Sequence, residues 1–211
     1  MANYVTERKS IILPLCKGKD VLDMGCVGEE KSYTSPNWLH GKICEVAANC
    51  LGVDISYEDI KKLRELGYNV ICGNAETIDP GRKFDVIVAG EIIEHVSNQG
   101  LFLENMRRHL KDNGIMIITT PNAFYPGFIL PYLLRKPLNI NPRHTLWHSE
   151  ETLRSIVERH GFLVNEIYYC TEGKPRSLKG KLYVFFMPRF GLLRSVGGTL
   201  IAILTKRKNG K

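Results

Sequence analysis

The sequence has no C-x-x-C pair: its six cysteines, Cys16, Cys26, Cys44, Cys50, Cys72 and Cys170, are scattered along the chain. That spacing excludes a zinc ribbon and a thioredoxin-type redox motif, and the cysteines, several of them in apolar runs, read as buried reduced thiols. The segment from Met1 to Lys9 lacks the apolar run and small-residue cleavage site of a secretory leader, so a cytoplasmic location is expected. Two apolar stretches, 123–142 and 182–196, fall short of the ~20 uninterrupted apolar residues that span a bilayer. Acidic residues are missing from Lys174 to Lys211, and the formal net charge is +7. This basic, partly apolar region at about 174–211 reads as a solvated charged face, with contact at an anionic membrane surface as the functional alternative.

What remains is the pattern of a single α/β domain. The 211 residues are 44% apolar and 24% charged, enough for one sizeable core. Short Val/Ile/Leu-rich runs alternate with amphipathic stretches, as in βα units on a mostly parallel, doubly wound sheet with helices on both faces. Seven strands are expected: Asp20–Met24, Leu51–Asp54, Asn69–Cys72, Phe84–Ala89, Ile115–Thr120, Leu163–Tyr169 and Thr199–Thr205. Helices are expected at Trp38–Ala48, Ser56–Leu66, Leu101–Leu110 and Ser149–His160, with Ser56 and Ser149 as N-caps and Gly67 and Gly161 closing two of them. Pro126, Pro131, Pro137 and Pro142 punctuate an aromatic segment that breaks this rhythm. It reads as a lid-like insertion, at about 123–148, following the fifth expected strand and lying over the carboxyl ends of the strands, where such sheets bind ligands.

The first expected strand ends in Val21-Leu22-Asp23-Met24-Gly25-Cys26, and the second closes with Gly52-Val53-Asp54 about 30 residues later. A glycine at the first turn lets a ligand approach the backbone, and an acid ending the second strand can accept both hydroxyls of a ribose. On these residues the sequence resembles the class I methyltransferase family, whose first motif is V-L-D-x-G-C-G-x-G followed by an acid. The resemblance continues through Cys72-Gly73-Asn74-Ala75-Glu76, Phe84-Asp85-Val86-Ile87, Glu91-Ile92-Ile93-Glu94-His95-Val96 and Leu110-Lys111-Asp112-Asn113-Gly114. It runs on less sharply through His144 to Ser149 and Gly161-Phe162. Single fragments of this kind are common; five in family order are specific.

The resemblance implies a Rossmann-like fold, S-adenosylmethionine as cofactor and S-adenosylhomocysteine as product. It assigns Asp23, Gly25, Cys26, Asp54, Ile55, Asn74, Ala75, Glu76 and Glu91 to the cofactor: Asp23 and Gly25 shape the methionine pocket, Asp54 holds the ribose, Asn74 with the Ala75 backbone reads the adenine, and Glu91 floors the site. The reading without a ligand is that Asp23 and Asp54 cap helices and satisfy loop amides. Val27 and Glu29 stand where the family has glycines, and Asn74 where it has Asp. A valine at 27 is expected to crowd the methionine moiety, and a carboxylate at 29 to oppose that of the ligand unless it turns away.

Methyl transfer from a sulfonium is an in-line displacement that needs alignment and, for a hydroxyl acceptor, a proton acceptor. His95 and His144 are the candidate catalytic pair, ahead of His148; a loop-ordering role is the alternative. His40, His109 and His160 fall on helical segments as surface or helix-end residues. Glu91, Glu94 and His95 have helical i, i+3, i+4 spacing and with His144 resemble the metal site of small-RNA 2′-O-methyltransferases. The same string occurs in relatives without a metal, and no RNA-binding module is visible, so the reading assigns no divalent metal. The expected activity is O-methylation of a small-molecule, glycan or lipid-linked acceptor, the aromatic insertion supplying the apolar contact. A metal-dependent RNA methyltransferase and a non-catalytic cofactor-binding protein are the alternatives; DNA is not an expected partner.

Overall fold

The apolar alternation within single strands assigns side chains to two layers. In β2 (Asp20–Met24) Val21 shares one cluster with Val86 and Val88 of β5 (Phe84–Gly90), while Leu22 and Met24 share another with Ile87 and Ala89. The computed structural model describes residues 3–28, 33–137, 141–171 and 197–207. One layer is completed by Phe102, Leu103 and Met106 of α4 (Gln99–His109) and by Leu153 and Val157 of α6 (Glu150–Arg159). The other is completed by Ile12 and Cys16 of α1 (Lys9–Cys16) and Ile43 of α2 (Leu39–Val46). Helices therefore cover both faces, as expected for the doubly wound class.

The sheet adds β1 (Asn3–Val5), β3 (Asn49–Asp54), β4 (Val70–Cys72), β6 (Leu110–Pro121), β7 (Phe162–Cys170) and β8 (Thr199–Lys206), in the order β1-β7-β8-β6-β5-β2-β3-β4. All pairs are parallel except those of β8, which runs antiparallel to both β6 and β7. The seven expected strands are present, and the eighth is β1, paired with Tyr168–Cys170. Strand order reverses at β2, which lies between β3 and β5, so the chain leaves β2 and β5 in opposite directions and opens a crevice at their carboxyl ends.

Helix ends follow the sequence with one exception. Ser149 and Thr152 form a reciprocal capping box at α6, and Gly67 and Gly161 take left-handed φ values of 87° and 80° after their helices. Ser56, expected to cap α3 (Tyr57–Glu65), instead donates its hydroxyl to Asp59, and its own N–H goes to Asp54. Two helices were not expected: α1, which contains Pro14, and α5 (Pro126–Leu133), which starts on Pro126 and contains Pro131. A proline in the first turn costs no hydrogen bond, so Pro126, one of the prolines that punctuate the insertion, can start α5.

The insertion that carries α5 is pinched at its base. Asn122 and His148 form an isolated parallel bridge, and the Ala123 N–H donates to the His148 carbonyl at 2.9 Å. Most of the basic region from Lys174, with the apolar stretch Leu182–Val196, lies outside the described residues, as does Glu29. Among the described residues no helix is long and apolar enough to cross a membrane.

Candidate active site

At the carboxyl ends of β2, β3 and β5 a cavity of about 840 Å³ opens. Its walls include Asp23, Gly25, Cys26, Asp54, Ile55, Asn74, Ala75, Glu76, Glu91 and His95, so the nine residues assigned to the cofactor and one of the two candidate catalytic histidines meet in one space. Gly25 turns the chain out of β2 with φ 79°, a conformation that strains any residue with a Cβ. The following turn is pinned from two sides: the Trp38 indole N–H donates to the Cys26 carbonyl at 2.7 Å, and the Val27 N–H donates to Asp54 at 3.1 Å.

Val27 departs from its expected place. Its side chain is buried with Cys26, Trp38, Ile60 and Leu63 and does not line the cavity, so it crowds no ligand. The loss of the family glycine is absorbed by packing behind the turn.

The two acids differ in surroundings. Asp54 ends β3 with Oδ2 accepting from Val27 and Oδ1 from Ser56, so it organises the loops as well as facing the cavity. Asp23 is buried and accepts from His40 Nδ1 at 2.8 Å. His40 is thus no surface residue; it sits against Asp23 with a fully buried side chain. Burial opposes its charge, but the bonds to Asp23 and Cys44 win and hold its pKa up at about 9.

Asn74 and Glu76 shape the far wall. Asn74 Oδ1 accepts from the Glu76 N–H at 2.9 Å, a side-chain turn that exposes the Asn74 amide to the cavity. Glu76 Oε1 accepts from the N–H groups of Ser97 and Asn98, tying this wall to the start of α4.

The E-x-x-E-H string does not form the helix its spacing suggested. Glu91 has φ 52°, in the left-handed region, where a non-glycine residue costs about 1–2 kcal/mol. Its N–H is held by the Thr119 carbonyl and hydroxyl, which secure the turn. Glu94 is buried beneath that turn and accepts from the Thr120 hydroxyl at 3.1 Å. Burial and the neighbouring Glu91 carboxylate push its pKa up to about 9, so it is neutral near pH 7.

His144 comes from the return arm of the insertion, where the Thr145 N–H and hydroxyl both donate to the Glu94 carbonyl, at 2.8 and 2.9 Å. The His144 and His95 rings meet edge to face with centroids 4.7 Å apart. One ligating atom each from Glu94, His95 and His144 lies within 4.8 Å of the others, a spacing that admits a metal ion; Glu91 does not join this group. His148 stands apart as a buried residue whose Nε2 accepts from Gln99 at 2.9 Å, and burial lowers its pKa to about 4. His109 and His160 lie at helix ends as expected, bonded to Asp79 and Glu104.

The insertion reaches this mouth through aromatic contacts. Phe128 of α5 stacks on Trp147 with centroids 4.8 Å apart, and the Trp147 indole N–H donates to His144 Nδ1 at 3.4 Å. Elsewhere α5 is open, with Leu130, Tyr132 and Leu133 exposed.

Comparison with known proteins agrees with this architecture. A family model described as a methyltransferase domain matches residues 4–167. A ubiquinone biosynthesis O-methyltransferase of Bradyrhizobium diazoefficiens is 32% identical over 134 residues, which cover 59% of this chain and 48% of that protein. One of the same description from Nitrobacter winogradskyi is 27% identical over 199 residues, covering 86% of this chain and 72% of that protein. The chain spans about half the length of the first of these relatives. A solved S-adenosylmethionine-dependent methyltransferase from Archaeoglobus fulgidus shares the fold with a TM-score of 0.63 at 22% identity, covering 94% of this chain and 91% of that one. With the family model spanning both the glycine turn and the E-x-x-E-H turn, the chain belongs to the methyltransferase domain family.

Proposed function

We propose that the protein transfers the methyl group of S-adenosylmethionine to a hydroxyl of an apolar, lipid-like acceptor. The observation that carries this reading is the cavity at the strand ends, with acids on its inner wall and the His95–His144 pair beside an insertion whose outer face is apolar. The donor set fits the cofactor. The Gly25 turn leaves room for close approach, Asp54 faces the cavity as an acceptor for paired hydroxyls, and Asn74 with the Ala75 backbone offers the polar edge an adenine needs.

When bound, S-adenosylmethionine supplies an activated methyl group. The protein's share is positioning and proton removal. His95 lines the cavity, and one of its ring nitrogens, Nδ1, lies 3.3 Å from the Arg143 carbonyl. That contact orients the ring so that Nε2 can accept the proton of an incoming hydroxyl, with His144 packed against it. The insertion acts as a lid that excludes water, with Phe128 and Trp147 joining it to His144.

The acceptor class rests on two further supports. Relatives carry the description ubiquinone biosynthesis O-methyltransferase, and exposed Leu130, Tyr132 and Leu133 are followed by Arg135 and Lys136, a pairing suited to an anionic lipid surface.

A second reading is favoured by one observation, the 4.8 Å grouping of Glu94, His95 and His144. These residues would hold a divalent cation that lowers the pKa of the acceptor hydroxyl, as an RNA 2′-O-methyltransferase of this type requires. The deciding experiment incubates chelator-treated protein with methyl-labelled S-adenosylmethionine and either an alkylated catechol or single-stranded RNA, with and without magnesium or manganese. Label in the catechol supports the proposed acceptor class, and label confined to RNA overturns it. A metal requirement with either acceptor supports the cation at Glu94, His95 and His144. No label and no cofactor binding returns the protein to a non-catalytic role.

A further inference from the structure

Behind the Asp23 wall, α2 and β3 assemble a second donor set. His40 and Cys44 stand four residues apart on α2 and therefore share a helix face, and Cys50 meets them from β3. Cys44 Sγ lies 3.5 Å from His40 Nε2, Cys50 Sγ lies 3.8 Å from His40 Nδ1, and one ligating atom from each residue falls within 4.8 Å of the others. In a tetrahedral zinc site with Zn–S of about 2.3 Å and Zn–N of about 2.0 Å, neighbouring ligand atoms stand about 3.5–3.8 Å apart. The Cys44 Sγ–His40 Nε2 pair already stands at that spacing, and Cys50 Sγ, whose 3.8 Å contact is to Nδ1, has to turn toward Nε2 to complete it.

We propose that His40, Cys44 and Cys50 form a binding site for a thiophilic divalent cation of the zinc class, separate from the Glu94, His95 and His144 group, with water as the remaining ligand. The surroundings favour it in three ways. The His40 Nδ1–H donates to Asp23 Oδ2 at 2.8 Å, which leaves Nε2 as the ligating nitrogen facing Cys44, the carboxylate–imidazole arrangement that orients metal-binding histidines. Space for the ring comes from Gly52 of β3, where a Cβ would stand 2.7 Å from His40 Cε1 and 2.8 Å from Cys26 Sγ. Both thiols are half-buried, so an ion can reach them although the imidazole is enclosed.

The chemistry of the thiols is consistent with this role. A cysteine ligates as the thiolate, so Cys44 gives up its proton when the ion binds. Loading displaces the remaining protons from Cys50 and from His40 Nε2, and affinity therefore rises with pH. Because Asp23 both holds His40 and lines the cofactor cavity, the ion anchors that wall from behind.

Cobalt titration of reduced, chelator-treated protein tests the proposal. One equivalent should give tetrahedral visible bands and a near-ultraviolet sulfur-to-cobalt charge-transfer band, both displaced by zinc. The charge-transfer band should disappear in Cys44→Ser and in Cys50→Ser and persist in His144→Ala. A second measurement on the unaltered chain does not depend on the variants folding: zinc should slow alkylation of Cys44 and Cys50 about tenfold or more, relative to the other four of the six cysteines, as mapped by mass spectrometry. Absence of the charge-transfer band, its survival in both cysteine variants, its loss in His144→Ala, or uniform alkylation with and without zinc overturns the site.

Discussion

The Val27 amide donates to Asp54 Oδ2 at 3.1 Å, joining the turn after β2 to the acid that ends β3. Asp54 therefore has two roles, since the same carboxylate that faces the cavity also fixes the turn beside it. Replacing it by alanine should weaken S-adenosylhomocysteine binding about 10- to 100-fold, the loss expected for one or two hydrogen bonds to a charged acceptor, whereas His144→Ala should change it by about twofold or less. Calorimetric titration of the two variants separates them. Equal effects would remove the assigned division between cofactor wall and acceptor mouth.

Val27 gives a prediction of the opposite kind. Its side chain is 4% exposed within an apolar cluster, so Val27→Gly should destabilise the fold by about 2–3 kcal/mol through lost burial and added backbone freedom. Cofactor affinity of the folded fraction should stay within about threefold, because no cavity wall is removed. Urea denaturation and calorimetry on the same preparation test both halves. A large gain in affinity would show that the valine obstructs the ligand after all.

These two residues also mark how far the sequence alone could be read. Asp54 was legible because an acid ending a buried strand and a glycine turn ending its neighbour have few joint uses other than a nucleotide-type crevice. Val27 was not, since a motif records which residue type is present and not whether its side chain turns toward the ligand or the core. His40 failed for a related reason. Its helical position suggested solvent, but Gly41 and Gly52 let Trp38 and the imidazole pack inward, and only the folded chain brings Cys50 of β3 beside Cys44. The strand β1 and helix α1 were not expected: three residues set no period, and α1 is only about two turns long with Pro14 in its interior. His95 and His144 lie 49 residues apart and meet because the Asn122–His148 bridge closes the insertion at its base and Thr145 bonds to the Glu94 carbonyl.

His148, at that base, should leave a pH signature on stability. Burial depresses its pKa from 6.5 to about 4 in the folded chain. The unfolded chain then takes up a proton near pH 6.5 that the folded chain resists until about pH 4. The stabilisation is therefore complete above pH 6.5 and declines as pH falls toward 4, by an amount of order 3 kcal/mol at most. The variant His148→Gln keeps an acceptor for Gln99 but does not titrate. Thermal melts across this range should show a steeper acid loss for the unaltered protein than for the variant; parallel curves would mean that His148 is hydrated and titrates normally.

The apolar side of α5 offers the most direct check on the acceptor class. Leu130 and Leu133 are 57% and 68% exposed, three residues apart, and no residue of α5 is buried, so aspartate at both positions should alter folding stability by about 0.5 kcal/mol or less. If this face enters a lipid surface, each leucine contributes about 1–2 kcal/mol to partitioning, and the double variant should bind anionic vesicles about tenfold or more weakly. Raising salt should weaken the unaltered protein further by screening Arg135 and Lys136, a dependence that apolar insertion alone lacks. Cosedimentation with phosphatidylglycerol vesicles at two salt concentrations measures both terms. Failure of the unaltered protein to bind would place the acceptor in solution and turn this face toward the substrate itself, in which case the leucine variants should raise the Michaelis constant for a soluble alkylated catechol with no vesicles present.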